Sequence, residues 1–320
     1  MVLTAQSKKW ISDRFGKAAV FDEPMSRHTW FGIGGTADAL VRPETRKDLG
    51  DLVQWCEKSR IPYFVMGSGS NLLVRDGGIR GVVIAVDGCL KKIRKNGERG
   101  NDIIVCAESG VTLQRLWKYA LDNGMGGLNF ALGIPGTVGG GIMMNAGTGL
   151  GDMASVIISI TVLWPWGETE KLPGDRLDFS YRRLKVAKKH REGSASPMVL
   201  LDGDFKLHIA DKEKLRMEAD MLLKKRRETQ PLEARSSGCF FKNPDSGPPA
   251  GLLIDQAGLK GKRINDACVS DRHANFILNQ GNASATDVIR LMEHIQKIVS
   301  KKYDILLEPE VKIVGEDTAV

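Results

Sequence analysis

Two glycine-rich stretches carry the clearest chemical signal in this sequence. In Gly67-Ser-Gly-Ser-Asn71, small residues follow directly on the apolar run Pro62-Tyr-Phe-Val-Met66, so several backbone N–H groups lie open with no Cβ to obstruct them. Successive N–H groups in such a turn form a concave nest for phosphate oxygens; a plain strand-to-helix turn is the alternative. The pattern lacks the third glycine and the acidic ribose partner of a doubly wound dinucleotide fingerprint, and the Lys-Ser/Thr of a P-loop. The second stretch, Gly133-Ile-Pro-Gly-Thr-Val-Gly-Gly-Gly141 followed by Asn145-Ala-Gly147, sits in a region (126–151) too rich in glycine for ordinary helix or strand. It reads as irregular backbone built for close approach to a ligand. Two such loops suit a large flat molecule with a pyrophosphate held between them. A flavin dinucleotide has that shape; a glycine-rich structural crossing is the other reading.

Other chemistries find less support. The five cysteines (Cys56, Cys89, Cys106, Cys239 and Cys268) form no C-x-x-C pair, and no histidine stands at metal spacing from one, so neither a disulfide framework nor a metal site is expected. Reduced thiols fit a cytoplasmic home. A net charge of +7 favours anionic ligands such as phosphates and carboxylates. Nucleic acid is not implied, because aromatics for base stacking are few, with four Tyr and ten Phe, and basic runs such as Lys224-Lys225-Arg226-Arg227 are short. The start, Met1 to Phe15, is charged throughout and has no apolar signal core. The longest apolar stretch, about Ala154 to Trp166, is too short and interrupted to cross a bilayer. A soluble protein without a membrane partner is expected.

Positioning the loops falls to a mixed set of elements. Ala39–Arg42, Pro62–Met66, Val82–Val86 and Ile103–Ala107 read as strands. Thr45 with Asp48 reads as a capping box for a helix burying Leu49, Leu52, Val53 and Cys56, and Thr112 caps a helix through Leu121 that Gly124 ends. Ser155–Leu163 and Val199–Ile209 resemble strands of a second sheet; Asp211 opens a charged helix to about Arg227. Gln230-Pro231 breaks the chain. The last strong helix starts at a Ser284/Asp287 capping box, and Leu306–Val314 reads as a closing strand. The alternation of short apolar runs with amphipathic helices indicates an α+β fold.

The segments His28-Thr-Trp-Phe-Gly-Ile-Gly-Gly35, Gly67-Ser-Gly-Ser-Asn-Leu-Leu73 and Gly133–Gly141 resemble the FAD-binding motifs of UDP-N-acetylenolpyruvoylglucosamine reductases. The similarity continues in order through Ser180-Tyr181-Arg182, Gln230-Pro231, Gly238-Cys-Phe-Phe-Lys-Asn-Pro244, Ala250 to Gly261, His273-Ala-Asn-Phe276 and Leu307-Glu-Pro-Glu-Val311. The motifs are weak singly and specific as an ordered set. The resemblance implies an FAD-binding fold of the vanillyl-alcohol oxidase / p-cresol methylhydroxylase type in two units, 1–85 and 86–228, and a substrate-binding domain at 229–307. The tail 308–320 is expected to return to the first unit. The implied reaction is an NADPH-dependent, FAD-mediated reduction of UDP-N-acetylglucosamine enolpyruvate to UDP-N-acetylmuramate, in peptidoglycan precursor synthesis, by a monomer. FAD is expected to be noncovalent, held by Gly67, Ser68, Gly69, Ser70, Asn71, Gly133, Ile134, Pro135, Gly136, Thr137, Gly139, Gly140 and Asn145.

By the same resemblance, hydride passes from flavin N5 to the enolpyruvyl CH2 carbon, and charge builds into the carboxylate. Arg182 matches the family's active-site arginine, a planar cation suited to that carboxylate; without the motif it reads as a surface arginine. Glu310 matches the catalytic glutamate, although Glu308 shares its face in a strand and alternation cannot separate them. Cys239 stands where the family's proton donor is a serine. A thiol can donate, being a stronger acid than an alcohol; a buried structural cysteine with water as donor is the alternative. Arg227, Lys242 and Asn243 are implied for the diphosphate and uridine, with a solvated helix end as the other reading of Arg227. The spacing between Arg182 and Cys239 resembles the shorter subgroup that lacks an extra tyrosine-bearing loop. The polar insertion at 188–197 reads as a surface loop. Two rival functions stay open at this level: an FAD-dependent oxidase or dehydrogenase of a small alcohol or hydroxy acid, and a nonenzymatic UDP-sugar or flavin-binding protein.

Overall fold

A computed structural model describes residues 3–187 and 196–318; most of the 188–197 insertion lies outside the described residues. The chain divides into two compact units. One comprises Met1–Phe21, Ala39–Ser68 and Gly81–Lys224, the other Asp22–Asp38, Gly69–Arg80 and Lys225–Val320. Seven α-helices stand among the described residues: α1 Ala5–Phe15, α2 Arg46–Lys58, α3 Leu113–Asp122, α4 Val138–Met143, α5 Lys212–Thr229, α6 Ala250–Gln256 and α7 Ala285–Tyr303. None is long and apolar enough to cross a membrane.

The first unit is built on an antiparallel sheet in the order Thr169–Pro173, Ile157–Leu163, Val199–Ile209, Asp102–Glu108, Ile93–Arg99. Alternation along Val199–Ile209 sends Leu207 and Phe205 into a core with Val105, Leu116, Ile142 and Ile160. A second core forms where α2 lays Leu49, Leu52, Val53 and Cys56 against Val82, Ile84 and Ala39. The Ala39, Tyr63 and Val82 strands belong to a four-stranded sheet ordered Ala19–Pro24, Thr36–Val41, Ile79–Ala85, Tyr63–Met66. Its last pair is parallel, Tyr63 opposite Val82.

The second unit has one core. On α7, Val288, Leu291, Ile295 and Val299 recur at helical spacing and are fully buried, against Phe240, Phe241, Leu253 and Ile277. Each such side chain contributes about 1.5–3 kcal/mol by leaving water. The expected Ser284/Asp287 capping box is present in full. Asp76 adds a second cap, accepting from the Ala285 and Thr286 N–H groups at 2.8 and 2.9 Å. A short antiparallel sheet (Arg263–Ile264, Ala267–Val269, Ile277–Asn279) completes the unit, with Lys312–Val314 paired in parallel with Leu72–Val74.

Several elements differ from expectation. The glycine-rich region is not irregular throughout: Val138-Gly-Gly-Gly-Ile-Met143 forms α4, because Thr137 accepts the Gly140 N–H (3.3 Å) and starts the turn. Gly139 and Gly141 then bring the helix so close that added Cβ atoms would meet Ser109 Cβ at 2.8 Å and Met153 Cε at 2.9 Å. At α2, Thr45 accepts the Asp48 N–H as the expected capping box requires, and the Thr45 hydroxyl also donates to Asp48 Oδ2. The closing strand is short, Lys312–Val314, and Ile157 rather than Ser155 begins its strand because Met153–Ser155 turns as a 3-10 helix.

Candidate active site

In the first unit the two glycine loops touch. A Cβ at Gly67 would lie 2.4 Å from Thr137 Oγ1, so the loops close only because position 67 has no side chain. Thr137 is buried, and the Gly139 N–H donates to Ser109 O at 2.9 Å. Gly133 has a left-handed φ of 72°, and Ile134, Pro135 and Gly136 follow half-buried, ahead of the exposed Gly140. The hydroxyls of Ser68 and Ser109 are buried without a hydrogen-bond partner among the described residues. Leaving such a group unmatched costs about 1–3 kcal/mol, and a pyrophosphate-bearing cofactor brings the acceptors that would match it. The residues present therefore fit FAD.

Asn145 (φ 41°) also braces the chain. Its amide donates to Asp152 Oδ2 (3.1 Å) and Ser180 O (3.2 Å), and its Oδ1 accepts the Ala154 N–H (3.0 Å). It thereby holds the end of a hairpin in which Leu177–Ser180 pairs with Arg183–Val186. Tyr181-Arg182 is the two-residue turn of that hairpin. Arg182 adopts φ 57°, a left-handed conformation that costs a non-glycine residue roughly 1–3 kcal/mol and that the surrounding structure must impose. Its guanidinium is 4.9 Å from the Tyr181 ring centre and donates to Gly147 O at 3.4 Å.

The second unit assembles the remaining groups around Phe240. Asn275 clamps the segment: its Oδ1 accepts the Phe241 N–H (2.9 Å), its Nδ2 donates to Phe241 O (2.8 Å), and its carbonyl accepts the Phe240 N–H (2.7 Å). Cys239, half-buried after the left-handed Gly238, thus has a fixed backbone. The Glu310 N–H donates to Phe240 O at 2.8 Å, and Glu310 O accepts Asn71 Nδ2 at 3.2 Å. Gly69 of the same loop packs on His28 O, which a Cβ would approach to 2.1 Å. One frame therefore joins Gly69–Asn71, the half-buried Ser70 between them, Cys239 and Glu310.

Glu308 and Glu310 part company here. Residues 308–310 form an isolated bridge, Phe241 opposite Pro309, rather than a regular strand. Glu308 is 70% exposed and pairs with Lys242 Nζ at 3.0 Å, whereas Glu310 is half-buried. Asn243 caps α6, its Oδ1 accepting the Ala250 N–H (3.0 Å). Arg227 is exposed at the end of α5, and its carbonyl receives Arg272 Nη1 (3.4 Å). Its neighbour Arg226 is the residue that sequence reading passed over. Burial pulls the Arg226 guanidinium below its ordinary range, with the field of Cys239 acting the other way. The signal was available, since Leu215, Ala219, Leu222 and Arg226 recur on one stripe of α5. Ser68 belongs to the glycine loop that the sequence points to; the buried hydroxyl of Ser109, and that of Ser237 two residues before Cys239, carry no sequence signal. His273 is held below its ordinary value by burial, its Nδ1 accepting the Asn275 N–H (3.2 Å), so at neutral pH it is an uncharged brace for the clamp. No cluster of His, Cys, Asp or Glu that could hold a metal occurs among the described residues.

A family model for the C-terminal domain of UDP-N-acetylenolpyruvoylglucosamine reductase matches residues 230–314, and an FAD binding domain model matches residues 37–173. The UDP-N-acetylenolpyruvoylglucosamine reductase of Desulfosudis oleivorans is 44% identical over 309 residues, covering 97% of this chain and 98% of the relative. The chain belongs to this family. That of Syntrophus aciditrophicus is 42% identical over 94% of the chain and 93% of its own length. The crystal structure of UDP-N-acetylenolpyruvylglucosamine reductase from Thermus caldophilus superposes with a TM-score of 0.73 at 33% identity, covering 92% and 97% of the two chains. The expected α+β FAD-binding fold is therefore present, and family membership makes the chain an FAD-dependent oxidoreductase of peptidoglycan precursor synthesis.

Proposed function

We propose that this chain reduces the enolpyruvyl ether of UDP-N-acetylglucosamine enolpyruvate to UDP-N-acetylmuramate with NADPH as reductant, working as a cytoplasmic monomer. FAD bound there would supply the hydride chemistry that links NADPH to the CH2 carbon of the ether. Gly67 to Asn71, Gly133 to Gly140 and Asn145 would hold it through N–H groups, polar side chains and close approach, and Asn145 also keeps the hairpin of Arg182 in place. Arg182 orients the substrate carboxylate and stabilises the charge that grows on it. Glu310 fixes the geometry of that developing enolate. The Cys239 thiol gives its proton to the carbon beside the one that receives the hydride, which completes the reduction and leaves a thiolate that solvent reprotonates. Arg227, Lys242 and Asn243 take the diphosphate and uridine, within a substrate-binding part at 229–307 that follows cofactor-binding parts at 1–85 and 86–228, with the 308–320 tail returning to the first of them.

The observation that carries this reading is the position of Glu310, bonded through its N–H to Phe240, beside Cys239, and through its carbonyl to Asn71 of the glycine loop. An acid, a thiol and a phosphate-binding loop share one hydrogen-bonded frame. The test is a coupled assay on the FAD-loaded protein. NADPH consumption should require the enolpyruvyl UDP-sugar and yield the product with two added hydrogens. Peroxide formation from a small alcohol without NADPH would replace this reading with an oxidase.

A further inference from the structure

A concavity of about 450 Å³ opens in the second unit, beside the glycine loop whose Gly69 carbonyl accepts the Trp30 N–H at 3.1 Å, and is lined by Ser26, Arg27, Thr29, Trp30, Gly32 and Arg235. Ser26, Gly32 and Arg235 also line an adjoining concavity of about 410 Å³ whose floor is Gly34 and Gly35. Arg235 lies against the Gly32 backbone: a Cβ there would come within 3.1 Å of Arg235 Cδ and 3.4 Å of Nη1, and the left-handed φ of 65° at Gly32 also disfavours a side chain. The Arg235 guanidinium makes no hydrogen bond or ion pair with any described residue. Arg27 reaches Glu23 only at 3.6 Å and is 70% exposed, so most of its donors face water. Trp30 leaves 53% of its surface exposed, an unusual position for an indole.

The walls are held rigidly. The buried Asn279 donates its N–H to Arg235 O (2.9 Å) and its Nδ2 to Phe31 O (3.0 Å), and its Oδ1 accepts from Gly281 and Ala283 (3.0 and 3.1 Å). One side chain thus ties together the three segments that form the rim. Asp76 is the acid in the adjoining concavity, and both its oxygens are engaged by the first turn of α7. Two guanidinium groups beside an exposed aromatic face, over a glycine floor and with no free carboxylate, are complementary to a planar base carrying phosphate.

We infer that this concavity is a second nucleotide site, which takes a nucleoside diphosphate with its base on Trp30 and its phosphates on Arg235 and Arg27. Neither concavity is lined by Arg182, Cys239 or Glu310, and the inference does not rest on the roles proposed for them. The test uses the FAD-loaded protein saturated with the enolpyruvyl UDP-sugar and no reductant, so that its own nucleotide site is filled, and follows tryptophan fluorescence during titration with ADP, UDP, adenosine or pyrophosphate. ADP and UDP should both quench, and Trp30→Phe should remove the quench. Arg235→Ala should weaken ADP roughly tenfold or more, the loss expected for charge-assisted hydrogen bonds. Arg235→Lys should recover only part of it, and adenosine or pyrophosphate alone should bind more weakly than ADP. An unchanged ADP constant in Arg235→Ala with normal flavin content, or pyrophosphate binding as tightly as ADP, overturns the inference. If Arg235→Ala does not fold, Arg27→Ala is read in the same way, and an unchanged constant there overturns it equally.

Discussion

In the proposed reaction, Cys239 and Glu310 carry the proton donor and the acid. A thiol in place of a hydroxyl keeps a proton available while the backbone that follows it is fixed by Asn275 and Glu310. Cys239→Ser should therefore retain turnover within about tenfold, since both groups serve as acids at the same point. Exchange of the acids separates two neighbours that alternation could not. Glu310→Gln should lower kcat by roughly a hundredfold or more, whereas Glu308→Gln, which breaks an exposed pair with Lys242, should change kcat by less than about twofold; steady-state kinetics on the two variants decides it. At Arg182, lysine keeps charge but loses the flat fork, and kcat should fall roughly a hundredfold with modest change in stability. The sequence motifs pointed to these positions by resemblance. Burial supplied what the motifs lacked, which is why Arg226 surfaced only in the structure: four consecutive basic residues look alike until the helix turns one of them inward.

At the level of elements, the contact of the two glycine loops carries the most consequence. Gly67→Ala sets a methyl group 2.4 Å from Thr137 Oγ1 and should yield protein with most of its flavin lost, read as the ratio of flavin to protein absorbance. Retention of full flavin content would show that the loops can part without loss. Helix α2 allows a pH prediction. Its Cys56 thiol is fully buried, and burial pushes it from an ordinary 9.0 up to about 12. A group raised in the folded state contributes stability that is present below its ordinary value and lost as pH rises through the folded one. Denaturant midpoints should therefore fall between pH 9 and 12, less steeply in Cys56→Ala; Cys106, also pushed up to about 12, maintains part of the slope. Helices with strong apolar periodicity, α2, α3 and α7, were legible in the sequence together with their caps. Helix α4 was not, because glycine propensity argues against a helix that the Thr137 cap and the packing against Ser109 and Met153 impose.

For the whole molecule, the order of motifs along the chain was legible. Residues 22–38 and 69–80 join the C-terminal part of the chain, an association made by pairings distant in sequence such as Lys312–Val314 with Leu72–Val74. Net charge acts at this scale too. With +7 on the chain and an anionic substrate, kcat/KM should fall severalfold as ionic strength rises from about 0.01 to 0.15 M, through screening of long-range attraction; a flat profile would assign recognition to short-range contacts alone. The central claim, a flavin reduced by NADPH and reoxidised by an enolpyruvyl sugar with Cys239 as acid, is tested most directly by anaerobic rapid mixing with flavin absorbance as the signal. NADPH should bleach the wild-type protein and Cys239→Ala alike, and the UDP-sugar should restore colour quickly in the wild type and slowly or not at all in the variant. Equal recovery in the two proteins, or recovery that needs oxygen rather than the sugar, would contradict the account.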